Sequence, residues 1–152
     1  RLAARSVVVD GEQRYAYEAT LDRDWVFRAL SVRTHDRRLD IAHHGLWRVD
    51  GQPRPDLAEA VDIDLAFSPF TNTLPIRRLG LAIGSAAEIV TAYVEVPSLR
   101  VSPDPQRYTR IGDRRYLYES LDSDFSREVT VDGEGFVLDY PGLYTRAPVE
   151  PS

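Results

Sequence analysis

Apolar and polar residues alternate with a period of two along most of this chain, a pattern that suits strands and excludes a helical bundle. Tyr15, Tyr17, Ala19 and Leu21 share one face against Arg14, Ala16, Glu18 and Thr20. Between Trp25 and Thr34, Trp25, Phe27 and Ala29 alternate with Val26, Arg28, Leu30 and Val32. Val90, Ala92, Val94 and Val96 oppose Ile89, Thr91, Tyr93 and Glu95. Tyr116 and Tyr118, then Val129 and Val131, then Phe136, Leu138 and Tyr140, continue the pattern. Enrichment in β-branched and aromatic residues points to antiparallel sheet.

Turn signals stand between these segments: Asp10-Gly11, Asp50-Gly51, Gly112-Asp113 and Asp132-Gly133. Such pairs supply the positive φ angles that short hairpins demand. Counting alternation and turns gives about ten strands. One short helix is expected near Leu74 to Ala82, capped by Thr73 and with Pro75 in its first turn. Gln52 to Pro55 and Pro103 to Pro105 read as loops, and residues 147 to 152 as a frayed tail. A meander of this many strands must curl to protect its edges. The expected fold is therefore all-β: a strongly curved antiparallel sheet, half-barrel or barrel-like, with a concave side suited to a ligand.

A chain of 152 residues, 43% of them hydrophobic, fits one domain over residues 1 to 152. Its net charge of −5 gives no general attraction to nucleic acid. Cysteine is absent, which excludes disulfides, thiolate metal sites and a cysteine nucleophile. No apolar run is long enough for a transmembrane segment, and no signal peptide is visible, so a cytoplasmic location is expected.

One stretch stands apart, VDIDLAFSPFTNTLPIRRL from Val61 to Leu79. It opens as a strand with Val61, Ile63, Leu65 and Phe67 on one face and Asp62, Asp64 and Ala66 on the other. Strand geometry sets the Cα atoms of Asp62 and Asp64 roughly 6.5 to 7 Å apart. Two uses fit that pair. They could serve glycoside or ester hydrolysis, whose acid and base are paired carboxylates. Otherwise they pair with Arg77 and Arg78, or cap the Thr71-Asn72-Thr73 turn, as a structural lock. Arg77 and Arg78 could equally grip an anionic head group, with Asn72 and Thr73 offering hydrogen bonds to sugar hydroxyls.

His35, His43 and His44 show no metal-ligand spacing, and no G-x-S-x-G elbow accompanies them. Eight tyrosines and two tryptophans, Trp47 and Tyr108 among them, give amphipathic rings suited either to a β core or to a ligand with sugar and acyl parts.

Several blocks together carry a resemblance. These are Gly45-Leu46-Trp47-Arg48-Val49-Asp50-Gly51, Asp62-Ile63-Asp64-Leu65, and Thr71-Asn72-Thr73-Leu74-Pro75-Ile76-Arg77-Arg78-Leu79. Tyr93-Val94-Glu95-Val96-Pro97, Gln106-Arg107-Tyr108 and Val137-Leu138-Asp139-Tyr140-Pro141-Gly142 follow in order. From about Tyr15 to Tyr144 the chain resembles the bacterial putative glycolipid-binding family. It departs from the family pattern at Glu59-Ala60, where a Gly-Cys pair is usual, and at Ser68, where threonine is usual.

The resemblance implies an all-β fold with a long curved sheet and a lipid or glycolipid ligand. It brings no catalytic residue, metal or cofactor, and it leaves protein partners open. The expected function is non-catalytic binding or carriage of a lipid or glycolipid in a concave groove. Asp62, Asp64, Asn72, Thr73, Arg77, Arg78, Trp47 and Tyr108 are the expected ligand-binding residues. The alternative is a hydrolase acting through Asp62 and Asp64.

Overall fold

Two sheets face each other across a shared apolar core, and one of them curls strongly into a half-barrel. The computed structural model describes residues 2 to 10, 13 to 66, 69 to 140 and 144 to 145. Gly11, Phe67, Ser68 and the tail from residue 147 lie outside the described residues.

The first sheet is an antiparallel meander in chain order. It comprises β1 (Leu2–Asp10), β2 (Gln13–Leu21), β3 (Phe27–Arg33), β4 (Arg38–His44), β5 (Leu46–Val49) and β6 (Gln52–Pro53). The second contains β7 (Asp62–Leu65), β8 (Ala86–Val94), β9 (Val101–Arg110), β10 (Arg115–Ser120), β11 (Ser126–Val131), β12 (Val137–Tyr140) and β13 (Tyr144–Thr145), laid out in reverse chain order. The described strands thus number thirteen, more than the ten expected, because the shortest carry too few residues to show alternation.

Among the described residues all pairings are antiparallel except β7 with β8. That parallel pair corrects the all-antiparallel expectation. The chain leaves β7, passes through helix α1 (Thr73–Leu79) and returns as β8, and a crossover of this kind delivers a parallel neighbour. Burial on both faces of β7 agrees, since Asp62, Ile63 and Leu65 are all buried.

The Asp50-Gly51 hairpin forms as expected, with φ of +50° and +82° at its two turn residues between paired Val49 and Gln52. Alternation slips in β3. Leu21 pairs with Phe27 while Thr20 pairs with Ala29, so Arg28 is an extra residue. The inward face therefore moves from Phe27 to Leu30 and Val32, and the three share one core rather than opposite faces. Trp25 lies outside the strand, in a turn at φ +65° whose Asp22 carboxylate accepts from the Asp24 and Val26 amides at 2.8 and 3.1 Å.

Helix α1 spans Thr73–Leu79, shorter than expected because Gly80 turns left-handed at φ +54°. Asn72, not Thr73, occupies the cap position, and no side chain caps the helix. A turn of 3-10 helix, Pro69–Asn72, runs straight into it, so Asn72 is already helical and its side chain is used elsewhere.

Two apolar clusters fill the interior. Tyr15, Tyr17, Phe27 and Trp47 from the first sheet pack with Leu57, Ile63, Leu65, Leu74 and Val94. Ile76 of α1 packs with Tyr108, Tyr116, Tyr118, Val129, Val131 and Val137 on the second sheet. Each such side chain contributes about 1.5–3 kcal/mol by leaving water. Among the described residues no helix is long and apolar enough to cross a membrane.

Candidate functional site

Strand β9 runs past the end of β10, and that overhang creates the site. Its last pair with β10 is Gln106 with Ser120, whereas its pairing with β8 continues to Val101. Pro103 and Pro105, expected in a loop, are therefore strand residues. The Pro105 carbonyl accepts from the Leu121 amide at 3.0 Å, which turns that residue's backbone polar edge away from β8. A proline is tolerated there because no ladder bond to β8 needs its missing N–H.

The space left beyond β10 is a cleft of about 460 Å³. Its walls are Asp64, Leu65 and Ala66 at the end of β7, Asn72 before α1, Tyr93 of β8, and Ser102, Pro103 and Asp104 of β9. Tyr118 and Ser120 of β10, with Asp122, Ser123 and Phe125 from the following loop, close the other side. The size is that of a small-molecule site. Three carboxylates line it, and among its lining residues there is no arginine or histidine.

Behind this lining the buried Gln106 side chain joins two of those acids. Its Nε2 donates to Asp64 Oδ2 at 2.7 Å and to Asp104 Oδ2 at 2.9 Å, with Thr91 Oγ1 at 3.1 Å. Thr71 Oγ1 donates to Asp64 Oδ1 at 3.3 Å. Burial pushes Asp64 up to about 6, and the neighbouring Asp104 charge adds to the rise, against the bonds from Gln106 and Thr71. Burial also raises Asp104, with Asp122 adding and Gln106 opposing. The Tyr93 hydroxyl is raised first by burial and then by the nearby Asp64 and Asp104 charges. Asn72 Nδ2 donates to the buried Tyr108 hydroxyl at 2.8 Å, which holds the amide at the cleft wall.

The expected ligand-binding residues separate in space. Asp64 and Asn72 line the cleft. Asp62, though two residues from Asp64, is fully buried and held by Arg78: Nη2 to Oδ2 at 2.7 Å and Nε to Oδ2 at 3.1 Å. Burial raises the Asp62 carboxyl and the Arg78 guanidinium acts against that rise. Arg77 turns elsewhere, donating to the Glu134 carbonyl and stacking its guanidinium 4.1 Å from the Trp25 ring centroid. The two arginines are neighbours on a helix and diverge, so they form no joint anion grip.

Trp47 is a core residue. Its ring stacks between Phe27 at 5.5 Å and His43 at 4.2 Å, and its indole N–H donates to the Ala60 carbonyl at 3.0 Å. Thr73 is fully buried at the start of α1, and Tyr108 is buried beneath Asn72. Burial, and then the Arg28 charge, lower the half-buried His43 imidazole. No group of three or more metal-ligating side chains is found among the described residues.

Sequence reasoning missed Asp104, Gln106, Tyr93, Tyr118 and Asp122 as site residues. One signal was present: Gln106 holds an inward strand position in phase with Tyr108, where a polar residue needs buried partners. Two of its partners, Asp64 of β7 and Thr91 of β8, were not legible from spacing, while the third, Asp104, stands two residues away on β9.

Comparison with known proteins follows the same lines. The model of a family described as "Putative glycolipid-binding" matches residues 1–146. The chain belongs to that family. A crystal structure of a DUF1089 family protein from Pseudomonas aeruginosa, of the same family, is similar at 35% identity and TM-score 0.82. The alignment covers 97% of this chain and 93% of that one. No curated protein matches. In this member of the putative glycolipid-binding family, charged, hydroxyl and aromatic groups converge on the acidic cleft.

Proposed function

We propose that the protein binds a glycolipid without altering it, holding the sugar head group in the cleft beyond β10. The observation that carries this reading is the convergence of Asp64, Asn72, Asp104 and Ser120 with the rings of Tyr93, Tyr118 and Phe125 on one 460 Å³ space. Carboxylates, amides and hydroxyls match sugar hydroxyls, and aromatic faces cover the apolar face of a pyranose ring. The half-exposed Phe125 at the cleft wall, with half-exposed Leu121 in the same loop, gives the start of an alkyl chain an apolar surface to lie on. The interior of the two sheets is taken up by Tyr15, Phe27, Trp47 and Ile76, so the tail in this reading leaves the protein rather than filling it.

Delipidated protein incubated with a bacterial lipid extract and analysed by mass spectrometry tests the reading. A retained glycolipid is expected, with retention lost in Asp104→Asn and Phe125→Ala and kept in Trp47→Phe. Retention of nothing, or retention indifferent to the cleft variants, overturns it.

A hydrolytic reading has one observation in its favour. Asp64, pushed up to about 6, keeps a proton closer to neutrality than an ordinary carboxyl does, beside a second acid in an open cleft. The pair would be Asp64 with Asp104, because Arg78 holds Asp62 away from the cleft. Sugar or acid released from a glycoside and ester panel, and lost in Asp64→Asn without loss of fold, would support it.

A further inference from the structure

We infer that the cleft selects a head group carrying a positive charge, an amino sugar with a free ammonium group rather than a neutral or N-acetylated one. The inference rests on the head-group reading above and names its ligand class.

The argument is a count of protons and charges. An amide nitrogen carries two hydrogens. Gln106 Nε2 nevertheless faces three oxygens within 3.1 Å: Asp64 Oδ2, Asp104 Oδ2 and Thr91 Oγ1. Gln106 is itself fully buried, its side chain runs into this group of acids, and its Oε1 has no hydrogen-bond partner. Turning the amide over would set that oxygen against both carboxylates, so the shortage of donors survives either orientation. The two hydrogens of the Gln106 amide therefore cannot serve all three oxygens, and the carboxylates on the cleft wall keep unused acceptor capacity.

Charge is just as unbalanced. All nineteen basic residues of the chain are arginine, and five of them pair with Asp22, Asp40, Asp56, Asp62 and Asp113 at 2.7 to 3.3 Å. Among the described residues no ion pair involves Asp64, Asp104 or Asp122, the three acids of the cleft. An ammonium group offers three donors and one positive charge, and the Tyr93 and Tyr118 rings at the wall suit a cation as well as a sugar face. The hydroxyls of Ser102, Ser120 and Ser123 complete a surface for the rest of the ring.

Calorimetric titration of the full chain at neutral pH with three probes tests this: an octyl glucosaminide, its N-acetyl derivative and octyl glucoside. The glucosaminide is expected to bind at least about tenfold tighter than either neutral probe, the scale of a charge-assisted bond. Asp104→Asn and Asp122→Asn are each expected to weaken the glucosaminide by most of that factor. Equal or tighter binding of the neutral probes overturns the inference and leaves the head-group reading standing. Binding of none of the three defeats both. Calcium chloride titrated alone is the remaining arm: calcium binding lost in the same variants, with no preference among the glycosides, would make the acids a metal site and overturn the inference.

Discussion

The Arg78 guanidinium closes on the fully buried Asp62 carboxylate, joining the last turn of α1 to strand β7 at a shortest distance of 2.7 Å. Removing Arg78 leaves the Asp62 charge buried and alone, at a cost of about 3–5 kcal/mol. Arg78→Ala is expected to lose that much in urea unfolding, and Asp62→Ala less, because the Arg78 side chain is partly exposed. The double change Asp62→Leu with Arg78→Met should cost far less than the sum. Strictly additive losses would show that the pair is not coupled.

Asp64 gives a pH dependence of defined sign. Its folded value of about 6 lies above the roughly 3.9 of an unfolded chain, so the folded state binds the proton more tightly. The resulting stabilisation is fully present below about pH 4 and is lost as pH rises to about 6, a change on the order of 3 kcal/mol. Asp64→Asn should remove it. In urea unfolding across this range the wild type should lose stability relative to the variant and be the less stable of the two at neutral pH. Parallel curves would place the Asp64 carboxyl in an ordinary environment.

Two glycines with positive φ separate backbone strain from crowding. At Gly80, φ +54°, an added Cβ meets nothing within 4 Å, so Gly80→Ala should cost only about 1–2 kcal/mol of left-handed strain. At Gly135, φ +90°, it would lie 3.1 Å from Arg77 Cγ and 3.4 Å from Ile76 Cγ2. Gly135→Ala should therefore lose more than Gly80→Ala, since it pushes α1 off the β11–β12 hairpin. Equal losses in thermal unfolding would mean that the hairpin and helix are not in firm contact there.

Local chemistry was legible in the sequence where one residue's neighbours decide its state. The Asp50-Gly51 turn and the helix within TNTLPIRRL follow from short-range geometry. The phase slip at Arg28 was not legible, because a bulge is defined by which residues of the partner strand are skipped. Strand conformation at Pro103 and Pro105 was hidden for a similar reason. Proline marks a loop unless the ladder needs no N–H at its position, and where β10 ends decides that.

The candidate site divides in the same way. The sequence by itself determined an all-β chain with acids at positions 62 and 64, because alternation and charge belong to the residues themselves. Tertiary structure sent those two acids to opposite fates, as α1 brought an arginine to Asp62 and β9 brought an amide and a second acid to Asp64. A carboxylate becomes a lock or a site according to which charge lies beside it and whether water or a ligand can reach it. Both depend on contacts between segments distant in the chain, and no spacing rule contains them.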